Sequence, residues 1–444
     1  MNDWTEHVIW WHVYPLGFTG ADTTGRDRTA APRLRQLEGW LDHLIALGAN
    51  GLALGPVFAS STHGYDTTDW FEVDPRLGTT DDLVHLIEAA HARGIRVMLD
   101  GVFNHVGREH PFVQAALADP AAPEAAFLRA GENGEFGTFE GHEGLVALDH
   151  GNPEVERLVG DVMTYWLRLG ADAWRLDAAY SVPGSFWAAV LPRVRSEHPD
   201  VYVVGEVLHG DYVQAVTEGT LDSVTQYELW QGIWHSLQTA NLFELDWALT
   251  RHDGFLEHFV PYTFVGNHDV TRLASAIDDE RHQAHAVVLL ATLGGTPAVY
   301  YGDEFGLRGI KEERFGGDDA IRPAFPADPL AADGPGSGAR AAETFALHQE
   351  LFGLRRRFPW LHRATSRTLS VANESLVIEL TAAAAPGEAI VVALNISDAA
   401  LEVAEAGKVL AGRSIDQGEA RPGSGASNGG VTVGPHGWLV ATRA

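Results

Sequence analysis

Four short apolar runs end in groups that can do acid–base or nucleophilic chemistry. They deliver Asp100, Asn104 and His105 ("RVMLDGVFNH"), Arg175 and Asp177 ("ADAWRLDAAY"), Glu206 ("VYVVGEVLHG"), and Asn267, His268 and Asp269 ("FVGNHD"). The chain has no cysteine, which removes thiol nucleophiles, thiolate metal cages and disulfides. Several carboxylates without a thiol fit glycoside hydrolysis: one acid protonates the leaving oxygen, and a second attacks the anomeric carbon or activates water. The first must hold its proton near neutral pH, which burial or a neighbouring anion provides. Arg175 lies two residues before Asp177, so in a strand both point the same way, and the arginine is expected to keep Asp177 ionised. Taken singly, each acid reads equally well as a helix cap or a surface ion pair. Asp100, followed by Gly101, keeps that structural reading, as a holder for Arg175. Sugars also stack on aromatic rings. Trp10, Trp11 and Tyr14 are candidates, and Tyr65, beside Asp66 in "THGYDTTDW", is the one singled out.

These groups need elements that bring them together. β-rich apolar runs occur at 8–15, 50–57, 95–103, 171–177, 201–206, 221–227, 262–267 and 296–302, most of them separated by helical stretches. Thr80 and Gly94 bracket one such helix, and Asn152-Pro153-Glu154 opens another with a cap, a proline and an acid. Alternation of this kind implies a parallel sheet, and eight repeats imply a closed (β/α)8 TIM barrel, with an open doubly wound sheet as the alternative. In a barrel the active site lies at the carboxyl ends of the strands, where all the acids above fall.

Two segments break the rhythm. Residues 106–151 are rich in Gly, Ala, Pro and Glu without a clear period, and a connection that long is usually functional. Residues 365–444 carry "LSVAN", "LVIELT", "AIVVALNIS" and "GGVTV" between turns, an antiparallel β domain read as a sandwich, with a flexible loop at 421–430.

Composition narrows the partners. The chain has 444 residues, 45% hydrophobic and 20% charged, as expected of a globular protein. Its net charge of −29 repels nucleic acid and anionic membrane surfaces, so neither is expected as a partner. No stretch approaches about 20 apolar residues, and "MNDWTEHVIWWHVYP" lacks the basic and apolar regions of a signal peptide, so the cytoplasm is the expected location.

In their order, the short motifs resemble those of the α-amylase family of retaining glycosidases, over nearly the whole chain. "DGVFNH" (100–105), "WRLDAAY" (174–180), "GEVL" (205–208) and "FVGNHD" (264–269) resemble its four signatures, and "GPVF", "HGYDTTDW" and "GGTPAVYYGDEFGL" resemble further family segments. The resemblance implies a catalytic barrel (1–105 and 152–364), a small insert after the third strand (106–151) and a C-terminal β-sandwich (365–444). It implies Asp177 as nucleophile, Glu206 as general acid/base and Asp269 as the third acid gripping sugar hydroxyls. Arg175, His105 and His268 resemble residues around the sugar at the cleavage point, with Tyr65 as stacking ring and Asp66 beside it as a substrate contact. Asn104 matches a position that binds calcium in many relatives.

Where relatives continue the second signature with Lys-His, this chain has Tyr180-Ser181. Tyr180 and His209 are therefore the expected acceptor-side residues. No acidic calcium loop is evident in "GADTTGRDRT", and no metal or cofactor is expected to be needed. "GEVLHGDY" and "NHDVTRL" resemble the neopullulanase and cyclomaltodextrinase branch. That branch carries an N-terminal domain often used for dimerisation, whereas this chain opens at its first strand, so a homodimer would need another surface. The expected activity is retaining hydrolysis of α-1,4, or α-1,6, links in small linear or cyclic malto-oligosaccharides. A glucanotransferase or isomerase using the same site is the alternative, and a non-catalytic scaffold the remote one.

Overall fold

The computed structural model describes residues 3–131, 135–314, 316–332, 334–417 and 430–444. The segment 421–429, expected as a flexible loop, lies outside the described residues. The chain divides into two compact bodies, Met1–Thr225 with Lys311–Ser337, and Gln226–Ile310 with Gly338–Ala444.

The first body contains parallel strands β1 (Trp10–Val13), β2 (Gly51–Leu54), β3 (Arg96–Gly101), β4 (Ala173–Leu176), β5 (Tyr202–Gly205) and β6 (Ser223–Val224). They pair in sequence order, each with the next. β1, β2, β4 and β5 are buried along their whole length, as in a sheet covered on both faces. The helix Thr80–His91 is capped one residue earlier than expected: Thr79, not Thr80, is the cap, because its hydroxyl and Asp82 form a reciprocal capping box. Asn152 caps Pro153–Arg168, whose Val155, Val159, Val162, Met163 and Trp166 make its buried stripe. Trp10, Trp11 and Tyr14 are fully buried, so they belong to the core and not to a sugar platform.

The second body contains the parallel pair β7 (Tyr262–Phe264) and β8 (Thr296–Tyr300). The six strands of the first body and these two are the eight parallel strands of a (β/α)8 barrel, the fold expected from the alternation. The second body also holds an antiparallel sheet: β9 (Thr365–Ala372), β10 (Ser375–Thr381), β11 (Ile390–Asn395), β12 (Leu401–Val403), β13 (Ala406–Gln417) and β14 (Val431–Arg443). β14 pairs with β12 near its start, with β11 near its end, and with β13 along most of its length. Val377, Val391, Val403, Val433 and Leu439 share one core beneath these strands.

Candidate active site

The strand register assembles the site. Asp100 on β3 and Val204 on β5 are both register partners of Arg175 on β4. The ladder runs one residue past the strand ends: Asp177 N–H donates to Gly101 O at 3.0 Å, and Glu206 N–H to Leu176 O at 2.9 Å. Side chains at Asp100, Arg175, Asp177 and Glu206 therefore leave three adjacent strands at nearly one level. All four are buried. Arg175 Nη1 donates to both Asp100 oxygens at 2.7 and 2.8 Å, and to Asp177 Oδ1 at 3.3 Å, while Nη2 meets Glu206 Oε1 at 2.6 Å. Burial alone would lower the Arg175 pKa. The charges of Asp100 and Glu206 more than offset this, and it ends well above the ordinary arginine value.

That geometry changes one expectation. The short contacts of Arg175 go to Asp100 and Glu206, and its contact with Asp177 is the longest. Asp100 is the main counter-ion of the arginine, as its structural reading held. Glu206 Oε2 also accepts the Ala178 amide at 2.9 Å. Ala178 stands in the left-handed region at φ 46°, turning the chain sharply after Asp177 so that its amide faces Glu206.

Around this cluster, Tyr65 donates to Asp100 Oδ2 at 3.2 Å. His105 Nε2 lies 3.1 Å from the Tyr65 carbonyl, and its Nδ1 lies 3.0 Å from the Asn104 amide nitrogen. Burial lowers the His105 pKa to about 3, so this ring is neutral at working pH. Asp66 turns away from the cluster: its oxygens accept the Thr62 amide at 3.0 Å and the Thr62 hydroxyl at 2.6 Å. It closes the 61–66 loop. A Cβ at Gly107 would stand 2.4 Å from the Asp66 carbonyl, so only glycine lets this loop and the strand His105–Gly107 meet.

The insert after the third strand adds a wall that sequence reasoning missed. His105–Gly107, His142–Ala147 and Thr138–Phe139 form a small antiparallel sheet. Glu140 and Gly141 make the hairpin turn, both at positive φ, 48° and 79°. Phe139 stacks on His105 with ring centres 4.8 Å apart. Glu140 Oε1 accepts from the Tyr180 hydroxyl at 2.8 Å, and Tyr180 lies 6.2 Å from the exposed ring of His209. Burial first and Glu140 second raise the Tyr180 pKa, so its hydroxyl stays protonated.

In the second body, the end of β7 places Asn267, His268 and Asp269 together. Asn267 donates to the Tyr227 hydroxyl at 2.8 Å and accepts the Asp269 amide at 2.8 Å. His268 Nε2 lies 2.8 Å from Asp269 Oδ2, with the histidine buried and the aspartate partly open. Calcium needs six to eight oxygen ligands. Among the described residues no cluster of three acidic or histidine side chains forms at Asn104. The Asp22 carboxylate in the 20–29 segment is taken by the Thr24 hydroxyl and the amides of Arg26 and Asp27.

Residues 12–135 and 130–335 match the family model for the alpha amylase catalytic domain. The chain belongs to the alpha-amylase family. It is a glycoside hydrolase of that family, as expected. A cyclomaltodextrinase of Geobacillus thermopakistaniensis is 29% identical over 436 residues, covering 90% of this chain and 71% of that protein. An intracellular maltogenic amylase of Bacillus subtilis is 28% identical over 342 residues, 69% of this chain and 57% of that one. The structure of a cyclic α-maltosyl-(1→6)-maltose hydrolase from Arthrobacter globiformis aligns over 100% of both chains with a TM-score of 0.79 at 24% identity, a likeness of fold. No described helix is long and apolar enough to cross a membrane.

Proposed function

We propose that this alpha-amylase family enzyme hydrolyses α-glucosidic links in small linear or cyclic malto-oligosaccharides, with retention at the anomeric carbon. The reading rests chiefly on one observation: a single buried guanidinium contacts three carboxylates from neighbouring strand ends. Asp177, held least tightly by Arg175, attacks the anomeric carbon. As the bond to the leaving oxygen breaks, Glu206 gives that oxygen its proton. Glu206 then takes a proton from water, whose oxygen displaces Asp177 and restores both groups. Releasing a proton requires Glu206 to turn an oxygen away from Arg175, which the incoming sugar drives by taking its place. Asp269, oriented by Asn267 and His268, grips sugar hydroxyls, and neutral His105, donating from Nε2 to the Tyr65 carbonyl, holds the Tyr65 segment beside the sugar. Tyr65 stacks on the sugar, and Tyr180 and His209 border the acceptor side.

Likeness to a cyclomaltodextrinase and a maltogenic amylase supports the choice of substrate, and likeness to an intracellular enzyme supports a cytoplasmic location. The test is incubation with maltotriose and cyclodextrins, following the first product by NMR. The α-anomer is expected; the β-anomer overturns the retaining assignment, and no product from either sugar overturns the substrate class.

A further inference from the structure

One cluster of metal-binding side chains lies apart from the residues assigned to catalysis. Asp279, His282 and His436 bring one carboxylate oxygen and two ring nitrogens within 4.8 Å of one another. Asp279 caps the helix Glu280–Thr292, His282 lies in its first turn, and His436 lies on β14. His282 Nε2 stands 3.0 Å from His436 Nδ1 and 3.7 Å from Asp279 Oδ2. Ligand atoms on a tetrahedral zinc ion at about 2.0 Å lie roughly 3.3 Å apart, close to both spacings.

The surroundings orient the rings as ligands. His436 Nε2 lies 2.9 Å from Asp398 Oδ1; a proton shared there sits on Nε2 and leaves a lone pair on Nδ1. His282 Nε2 faces that lone pair at 3.0 Å, and a cation between the two rings would take the place of this contact. A carboxylate behind the ring, as Asp398 is behind His436, is the usual outer support of a metal-binding histidine. Helix capping accounts for only part of Asp279: Oδ1 accepts the Arg281 amide at 3.0 Å, whereas Oδ2 faces His282. His436 holds φ 52°, in the left-handed region that Asn, Asp and His adopt more often than other side chains. Arg281, with a side chain 58% exposed, lies across both oxygens of Asp279 and is the cation there without metal.

We propose that Asp279, His282 and His436 bind one divalent transition-metal ion of the zinc type, tying the start of this helix to β14. Two imidazoles and one carboxylate suit zinc or cobalt and not calcium, and leave a fourth position for water. His285, one turn on, already lies against the carbonyls of Asn395 and Gly437 at 3.3 and 2.9 Å, so the ion would extend an existing seam. No residue assigned to catalysis is a ligand, so the ion should raise thermal stability and leave kcat unchanged.

The test uses the full chain, stripped with EDTA and titrated with cobalt(II) chloride and zinc chloride. We expect one bound equivalent by elemental analysis, the visible absorption of a low-coordinate cobalt site, and a Tm that rises with zinc concentration. His282→Gln and His436→Gln should each weaken binding at least about tenfold. Arg281→Ala should strengthen it, and His142→Gln, at an exposed histidine elsewhere, should leave it unchanged. A wild-type protein that binds no equivalent overturns the proposal. So does an equivalent that survives both histidine substitutions, or, where those variants fail to fold, one that Arg281→Ala does not tighten.

Discussion

Two arginines are buried among acids in the first body, and they are built differently. Arg76 meets one carboxylate: its Nε and Nη2 reach the two oxygens of Asp74 at 2.8 and 2.6 Å. Its remaining donors go to the Asp22 and Thr62 carbonyls and to Ser60, and both side chains of the pair are 1% exposed. Charge there is balanced and the hydrogen bonds are closed within the protein. Arg175 meets three carboxylates, so its cluster carries an excess of negative charge. A balanced buried pair holds loops in place. An unbalanced one is destabilising by itself and is kept where chemistry needs a nucleophile and a proton carrier side by side.

The sharpest way to break that comparison is to remove charge from each cluster. Asp177→Asn and Glu206→Gln should each lower kcat/KM by about a thousandfold or more. Because each relieves repulsion among like charges, Tm should stay level or rise. Activity within tenfold of wild type in either variant would end the assignment of that residue. Asp74→Asn should do the reverse. Leaving Arg76 buried without its counter-charge costs about 3–5 kcal/mol, read by urea denaturation, while kcat of the protein that remains folded is unchanged.

Sequence reading reached most of the strand ends and little of what lies between them. The barrel strands were legible because apolar runs alternate with capped helices, and Asp100, Arg175, Asp177 and Glu206 ride on those runs. Asp100 was legible as the holder of Arg175, but the short contact of Arg175 with Glu206 was not, because that depends on the register of β4 against β5. The wall of Phe139 and Glu140 was hidden for a local reason. Its turn puts a glutamate at positive φ where Asn-Gly or Asp-Gly is the usual signal. β13 was missed because register shifts after Ala406, Val409 and Arg413 break the alternation that marks a strand. The Arg76 cluster left no signal, since Asp22, Ser60 and Thr62 reach Arg76 only in the fold.

A weaker test separates site from scaffold by pH. Burial lowers the pKa of His105 to about 3 and that of His110, His252 and His285 to about 4, from 6.5. The folded protein then binds fewer protons than the unfolded chain below pH 6.5, so stability is full above that pH and falls as pH drops toward 4. Each such histidine contributes about 1.4 kcal/mol per pH unit within its window. His252→Gln and His105→Gln should both flatten the fall in Tm between pH 6.5 and 4.5. Only His105→Gln should also lower kcat/KM at pH 7. Equal loss of activity in the two would place His105 with the scaffold.

The smallest expected effect is at Tyr180, where the barrel meets its insert. Its hydroxyl reaches Glu140 at 2.8 Å from a half-buried position, so solvent can replace much of that bond. Tyr180→Phe keeps the ring beside Phe139 and His209 and removes only the link to the hairpin turn. Losing about 1 kcal/mol of orientation at the acceptor side raises KM for maltotriose roughly fivefold, with kcat nearly unchanged. A loss confined to kcat would instead mean that the hydroxyl acts on the reacting atoms, moving Tyr180 from the wall into the unbalanced cluster. Glu140→Gln discriminates further, since it keeps an oxygen to accept the bond and removes the charge. If the contact positions the hairpin, its KM stays near wild type. If the glutamate charge itself matters, KM rises as far as in Tyr180→Phe.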